Sequence, residues 1–131
     1  MASVFTRIIA GELPAHFVWQ DDSCVAFLSI EPLRPGHTLV VPRAEVDHWI
    51  DLDDDTVAAL MRVARMIAGA QQEIYRPTKV GLMIAGLEVP HAHVHVSPID
   101  GMHDLDFANA GPFPGDAALA AEAARIRAAL D

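Results

Sequence analysis

Three histidines occupy every second position in Pro90-His91-Ala92-His93-Val94-His95-Val96-Ser97-Pro98. In a strand, alternate side chains share a face, so His91, His93 and His95 are expected on one side and Ala92, Val94 and Val96 on the other. The second set reads as core. A row of imidazoles opposite it has three readings. It is a solvated edge strand, a metal site completed by Asp100, His103 or Asp104, or a catalytic face. Imidazole is mostly neutral near pH 7 and is a good nucleophile toward phosphorus, so the catalytic reading is covalent catalysis with neighbouring rings binding phosphate.

The rest of the chain must position those rings. Val4, Phe5, Ile8 and Ile9 recur at helical spacing before Gly11 and Pro14, which predicts a short N-terminal helix. Phe17–Gln20 and Cys24–Ser29 are strand-like runs around the turn residues Asp21-Asp22-Ser23. Glu31–Gly36 reads as loop, and His37–Val41 as a strand ending at Pro42. The acidic stretch from Asp51 to Thr56 suits a helix start. Val57, Leu60, Met61, Ala64, Ile67 and Ile74 mark one face of the longest helix, ending near Tyr75, with Arg62 and Arg65 on the other face. Lys79–Ala85 and His91–Ser97 are the last two expected strands, and Asn109–Gly115 is loop. Asp116 can cap an Ala-rich helix bearing Leu119, Ala123, Ile126 and Leu130 on one side. Strands in hairpins broken by one long helix predict an α+β fold with an antiparallel sheet.

The chain has 131 residues, enough for a single domain over 1–131 with one core. Its formal charge of −9 argues against a broad nucleic-acid grip, while leaving room for one small anionic ligand. Cys24 is the only cysteine, which excludes an internal disulfide and any Cys-rich zinc module. No apolar run is long enough for a membrane span and no secretory signal is apparent, so the expected location is cytoplasmic. His16, His48 and His103 read as surface residues, as do Arg34 and Arg43. Cys24 reads as a buried apolar residue, and Asp51–Asp55 as a helix start rather than a metal cluster.

The order Phe5 to Ile9, Gly11-Glu12-Leu13-Pro14-Ala15, Asp21-Asp22, Ala26-Phe27, Pro35-Gly36-His37-Thr38-Leu39-Val40-Val41-Pro42 and His91-Ala92-His93-Val94-His95-Val96 resembles the histidine triad (HIT) family, its Hint-like branch in particular. The likeness runs from about residue 4 to 98, leaving 99–131 as an extension with a last helix. It implies a HIT-like five-stranded antiparallel sheet with one long helix and short terminal helices, dimerising into a continuous larger sheet. It also implies a nucleotidyl hydrolase or transferase, or a nucleoside phosphoramidase. Such an enzyme acts at the α-phosphate of a small nucleotide conjugate through a covalent nucleotidyl-histidine. The alternatives are a dinucleoside polyphosphate hydrolase of the same family and a non-catalytic dimeric nucleotide-binding module.

By the same resemblance, His93 is the nucleophile, His95 contacts the phosphate and aids the leaving group, His91 orients the nucleophile, and His37 supports the triad. Phe5, Ile8, Phe27, Leu28, Ser29 and Ile30 fall at positions that line the base pocket. The expected partners are a small nucleotide conjugate and a second copy of the chain, with no stable nucleic acid or membrane binding and no cofactor or metal.

The chain also departs from the family pattern. Ser29 stands where the family has a ribose-binding Asp. Gly86-Leu87-Glu88-Val89 replaces a Gly-Gln-Ser/Thr-Val segment that contacts phosphate. An ionised Glu88 facing the site would repel a phosphate, so either it points away or the substrate is not a simple nucleotide. Zinc-holding members carry Cys-x-x-Cys and a His at positions that are Ser3, Thr6 and Glu45 here, so that site is not expected.

Overall fold

The structure, a computed structural model, describes residues 1–130. Its elements follow the order α1 (Val4–Ile9), β1 (Phe17–Gln20), β2 (Cys24–Leu28), β3 (Thr38–Pro42), α2 (Asp54–Tyr75), β4 (Lys79–Met83), β5 (Val94–Ile99) and α3 (Asp116–Leu130). Single 3-10 turns lie at Trp49–Asp51, Met102–Leu105 and Phe107–Asn109. The five strands form one antiparallel sheet in the order β1-β2-β3-β5-β4. This is the expected α+β architecture. The two turns after Met102 were not foreseen.

The pleat separates the sheet's two faces. Cys24, Ala26 and Leu28 of β2, Val40 of β3, and Val94 and Val96 of β5 join the main core. That core is closed by α2 through residues such as Leu60, Val63 and Ile67, and by α3 through Leu119, Ala123 and Ile126. The other face carries Val25, Phe27, Leu39 and Val41, packed with Phe5 of α1. In the strand register Phe27 pairs with Leu39, and Leu39 with His95. His95 therefore emerges in a row of apolar residues on the face opposite the long helices.

The local stops and starts have simple causes. Ser3 Oγ accepts from Thr6 N–H at 3.0 Å and caps α1. Asp53 Oδ1 accepts from Thr56 N–H at 2.7 Å and caps α2, where Asp54 and Asp55 also face the positive end of the helix dipole. Gly36 has φ of +93°, and a Cβ there would run into the Tyr75 ring at the end of α2. Glycine therefore permits both the turn before β3 and its close approach to α2. Gln71 of α2, fully buried, donates from Nε2 to Gly36 O at 2.8 Å and to Val96 O at 3.0 Å. It ties the turn carrying His37 to the strand carrying His95.

Candidate active site

The histidine run is less regular than alternation predicts. β5 begins at Val94, so His91 and His93 lie in an irregular segment before the strand, and only His95 is placed by the pleat. The segment is held to the body of the protein by Ala92 N–H donating to Val46 O at 2.7 Å. Val94 and Val96 do enter the core, as expected, but the three rings do not share one exposed face. His93 and His95 meet edge to face with centroids 4.8 Å apart, and both line a cavity of about 510 Å³. His91 is absent from that lining and has no solvent exposure.

The hydrogen bonds fix where each neutral ring carries its proton. A carbonyl oxygen can only accept, and a backbone N–H can only donate. His93 Nδ1 lies 2.8 Å from His91 O, so Nδ1 carries the hydrogen and the lone pair is on Nε2. Leu33 N–H donates to His37 Nδ1 at 3.0 Å, so His37 carries its hydrogen on Nε2. His37 Nε2 is 2.9 Å from His95 Nδ1 and donates to it. His95 is left with its own hydrogen on Nε2. Adjacent rings thus offer opposite functions, a lone pair on His93 and a donor on His95.

Burial keeps these rings neutral. It pushes His37 down to about 3 and His95 to about 4, the charges of neighbouring histidines adding to the effect. It also lowers His93; the bond to His91 O and the charge of Glu88 oppose that shift. His95 is therefore a neutral hydrogen-bond donor, not the imidazolium that would make it a ready acid.

His91 has a different setting. Its Nε2 is 2.7 Å from Pro42 O and its Nδ1 is 2.7 Å from Ser3 Oγ. In the neutral ring Nε2 donates to Pro42 O and Ser3 O–H donates to Nδ1. Both nitrogens are occupied. Glu45 Oε1 accepts from Ser3 N–H and from Thr6 O–H, each at 2.6 Å. These bonds, with that from Ser3 N–H the largest, hold the Glu45 carboxyl below the usual carboxylate range. The three positions at which a zinc site was not expected therefore form an oxygen-rich hydrogen-bonded cluster on His91.

The cavity collects all six expected pocket residues: Phe5, Ile8, Phe27, Leu28, Ser29 and Ile30. Phe5 packs edge-on against Phe27 at 5.5 Å and His93 at 4.9 Å. Leu28 is shared with the main core, so some of these residues are both core and wall. Two lining residues, Phe107 and Ala110, come from the segment after β5, where no family likeness was legible. Phe107 stands edge-on to His95 at 4.9 Å. An aromatic residue in a loop was the only signal for it. Glu88, an exposed residue, lines this cavity and a smaller one of about 100 Å³ that also touches His93 and His95, and its charge acts on His93.

The remaining polar residues find structural partners. Arg34 pairs with Asp100 at 3.1 Å and with Asp104 at 2.9 Å. Asp104 also pairs with the exposed His103 at 3.3 Å, so Asp100, His103 and Asp104 are each engaged with partners other than the triad. Among the described residues no group of three or more His, Cys, Asp or Glu side chains is arranged to hold a metal ion. Arg43 donates to Asp21 O, His16 pairs with Asp116, and His48 is exposed. Cys24 has no exposure, and burial pushes its thiol up to about 12. Its thiolate is out of reach.

Known proteins share this fold. The profile of the HIT domain matches residues 10–102. An uncharacterized HIT-like protein of Borreliella burgdorferi is 37% identical over 102 residues, covering 72% of this chain and 73% of its own length. A zinc-bound histidine triad family protein from Mycobacterium smegmatis superposes with a TM-score of 0.84 at 29% identity, covering 99% of this chain and 94% of that one. That coverage includes α3, so the C-terminal helix is part of a fold shared with that relative. A hypothetical histidine triad nucleotide-binding protein from Sulfolobus tokodaii shares the fold at a TM-score of 0.82 and 24% identity, covering 96% of this chain and 90% of that one. With its profile match extending over more than half its length and a relative above 30% identity, the chain belongs to the HIT family.

Proposed function

We propose that the protein is a Hint-like nucleotidyl hydrolase that cleaves nucleoside phosphoramidates through a covalent His93 intermediate. The observation that carries this reading is the proton pattern of the two facing rings. A bare Nε2 on His93 stands beside an Nε2–H on His95 at the wall of an apolar cavity large enough for a nucleoside. The solvated-strand reading accounts for none of this, because His91, His93 and His95 are all buried.

In the first step His93 Nε2 attacks the α-phosphorus of an N-protonated phosphoramidate. The N–P bond to His93 forms, and the bonding pair of the scissile bond leaves with the amine. His95 Nε2–H donates to a phosphoryl oxygen as charge gathers there. Water then attacks phosphorus, the pair returns to His93, and a nucleoside monophosphate and a proton are released. His37 holds His95 in its donor tautomer, and His91 O holds His93 in its nucleophilic one. A dinucleoside polyphosphate is the less suitable substrate. No Lys or Arg lines either cavity, and Glu88 lines both, so a chain of phosphates meets no compensating charge.

The test is a rapid acid quench with an adenosine phosphoramidate labelled at phosphorus. Label on the peptide holding His91 to His95, lost in His93→Ala, is the expected result. Label on His37 or Cys24 refutes the assignment. Nucleotide binding without turnover of any conjugate supports a non-catalytic module instead.

A further inference from the structure

His37 and His95 are joined on the cavity side of the sheet, and their chain neighbours Gly36 and Val96 are joined from the side of the long helix. His37 Nε2 is 2.9 Å from His95 Nδ1, and both rings line the nucleoside cavity. From α2, Gln71 donates from Nε2 to Gly36 O at 2.8 Å and to Val96 O at 3.0 Å. The partners settle the direction of the amide, because two carbonyl oxygens can only accept. Gln71 has no solvent exposure and is the one polar side chain among the buried residues of α2. Its Oε1 has no hydrogen-bond partner among the described residues. A buried carbonyl oxygen without a partner costs stability that a methionine at the same place does not incur. Packing alone therefore does not account for an amide here, and its two donors do.

The same turn is fixed at further points. Thr38 Oγ1 also donates to Gly36 O, at 2.8 Å, and Thr38 pairs with Val96 in the strand register. Tyr75 lies four residues beyond Gln71 on the same helix face, and its ring packs so close to Gly36 that a Cβ there would meet it. We propose that Gln71 is a positioning residue for the active site, whose two bonds hold the Gly36 turn and β5 at the separation that lets His37 donate to His95. It reaches neither substrate nor reacting atoms and acts through His37. This inference rests on the reading of His95 as a neutral donor beside the His93 nucleophile, and names what enforces that state from behind the sheet.

The experiment uses Gln71→Met, similar in length and without donors. Ile67→Val, one turn earlier on the same helix face, is the packing control. Nitrogen chemical shifts of the His95 ring report which nitrogen carries the hydrogen. Wild type and Ile67→Val are expected to show the Nε2–H form, and Gln71→Met a mixture of both tautomers. With an adenosine phosphoramidate, kcat in Gln71→Met is expected to fall about fivefold to tenfold, with KM changed by about twofold or less. In a His37→Ala background the same substitution is expected to lower kcat by about twofold at most, because the group it positions is gone. An unchanged His95 tautomer in Gln71→Met, or losses that simply multiply in the double variant, overturn the proposal. The reverse measurement needs no change at residue 71. His37→Ala is expected to shift the Nε2 proton resonances of Gln71 and to speed their exchange with water, and unmoved resonances overturn the coupling. The ring and amide signals are read without turnover. A protein that hydrolyses no conjugate thus refutes the hydrolase reading, while these signals still decide the role of Gln71.

Discussion

His37 Nε2 lies 2.9 Å from His95 Nδ1, and the bond between them can run in one direction only, because Leu33 N–H already occupies the other nitrogen of His37. His37 is thus a donor aimed from behind at His95. It keeps the hydrogen of His95 on the nitrogen turned toward the cavity and disfavours a second proton. Replacing it with alanine removes that donor and admits water. His95 is then expected to titrate upward from about 4 toward the ordinary imidazole range, followed by NMR of its ring. kcat/KM is expected to fall about tenfold to a hundredfold, since the donor tautomer is no longer enforced. An unchanged His95 titration contradicts the assigned direction of the bond.

The same lowered values predict how stability responds to acid. An imidazole whose native pKa is below its unfolded value binds fewer protons in the native state. Stability therefore rises with pH over the interval between the two values. For His37 and His95 the contribution is fully present above about pH 6.5, and declines as pH falls toward about 4 and then 3. The loss is expected to reach a few kcal/mol, on the order of 1.4 kcal/mol per unit for each ring. Urea unfolding at pH 7 and pH 4.5 measures it. His37→Phe, apolar and unable to charge, is expected to flatten the slope, and an equal slope in that variant places the acid sensitivity elsewhere.

The sheet was legible because β2 and β3 are short continuous apolar runs, buried on both faces and bounded by turn residues, and because the long helix has an apolar stripe. The positions of Phe5, Ile8, Phe27, Leu28, Ser29 and Ile30 around one cavity were legible only through the family resemblance. Alternation misled at His91, since a period of two guarantees a shared face only inside a strand, and the strand starts at Val94. Phe107 was not legible at all. Its place beside His95 depends on how the chain turns twice after Met102, a tertiary outcome that no local periodicity encodes.

Ser3 is expected to matter to catalysis although it does not line the cavity. Its hydroxyl caps α1 and satisfies His91 Nδ1, and the carbonyl of His91 orients His93. Ser3→Ala removes the cap, worth about 0.5–2 kcal/mol, and takes from the buried His91 Nδ1 its 2.7 Å partner, leaving only the Thr6 hydroxyl at 3.4 Å, at a further cost of up to about 1–3 kcal/mol. kcat is expected to fall more than KM changes, and Ser3→Thr, which keeps the hydroxyl, to restore it. Ser3→Thr behaving like Ser3→Ala would show that the hydroxyl is not the operative group. Because oxygen atoms surround His91 here, activity is also expected to survive exhaustive chelation. A loss restored by added zinc would favour the metal reading.

A second copy of the chain is expected against β4. This strand ends the sheet with only β5 beside it, and its residues are exposed or half-buried. At the opposite edge, Arg127 of α3 donates to Phe17 O of β1. Leu82 of β4 and Met61 of α2 are exposed, as are Trp49 and Ile50 before α2. An open strand edge with exposed apolar side chains on the same element invites pairing. Sedimentation is expected to give a dimer at micromolar concentration, and Leu82→Lys with Met61→Glu to give monomers. A mass of about 14 kDa for wild type would sink this expectation.

Ser29 should make the protein a weak judge of ribose against deoxyribose. It lines the nucleoside cavity where the family pattern has a carboxylate, and its hydroxyl already accepts from Glu31 N–H at 3.3 Å. A carboxylate accepts bonds from both ribose hydroxyls, each worth about 1.5–3 kcal/mol when charge-assisted. A serine hydroxyl offers about 1 kcal/mol and has one of its lone pairs in use. Removing the 2′-hydroxyl of the substrate is then expected to lower kcat/KM by about tenfold or less. Glu31 is the residue able to compensate, since it is a carboxylate residue of the same cavity lining two positions along the chain. The measurement compares adenosine and 2′-deoxyadenosine phosphoramidates in wild type, Ser29→Asp and Glu31→Gln. An aspartate at 29 can still accept from the Glu31 N–H, so the turn is preserved. The ribose preference is expected to rise in Ser29→Asp, while overall binding weakens because a second carboxylate now stands beside Glu31. A wild-type preference of a hundredfold or more, abolished in Glu31→Gln, would move the ribose-binding role from residue 29 to Glu31. The same preference retained in Glu31→Gln would remove the role from both residues.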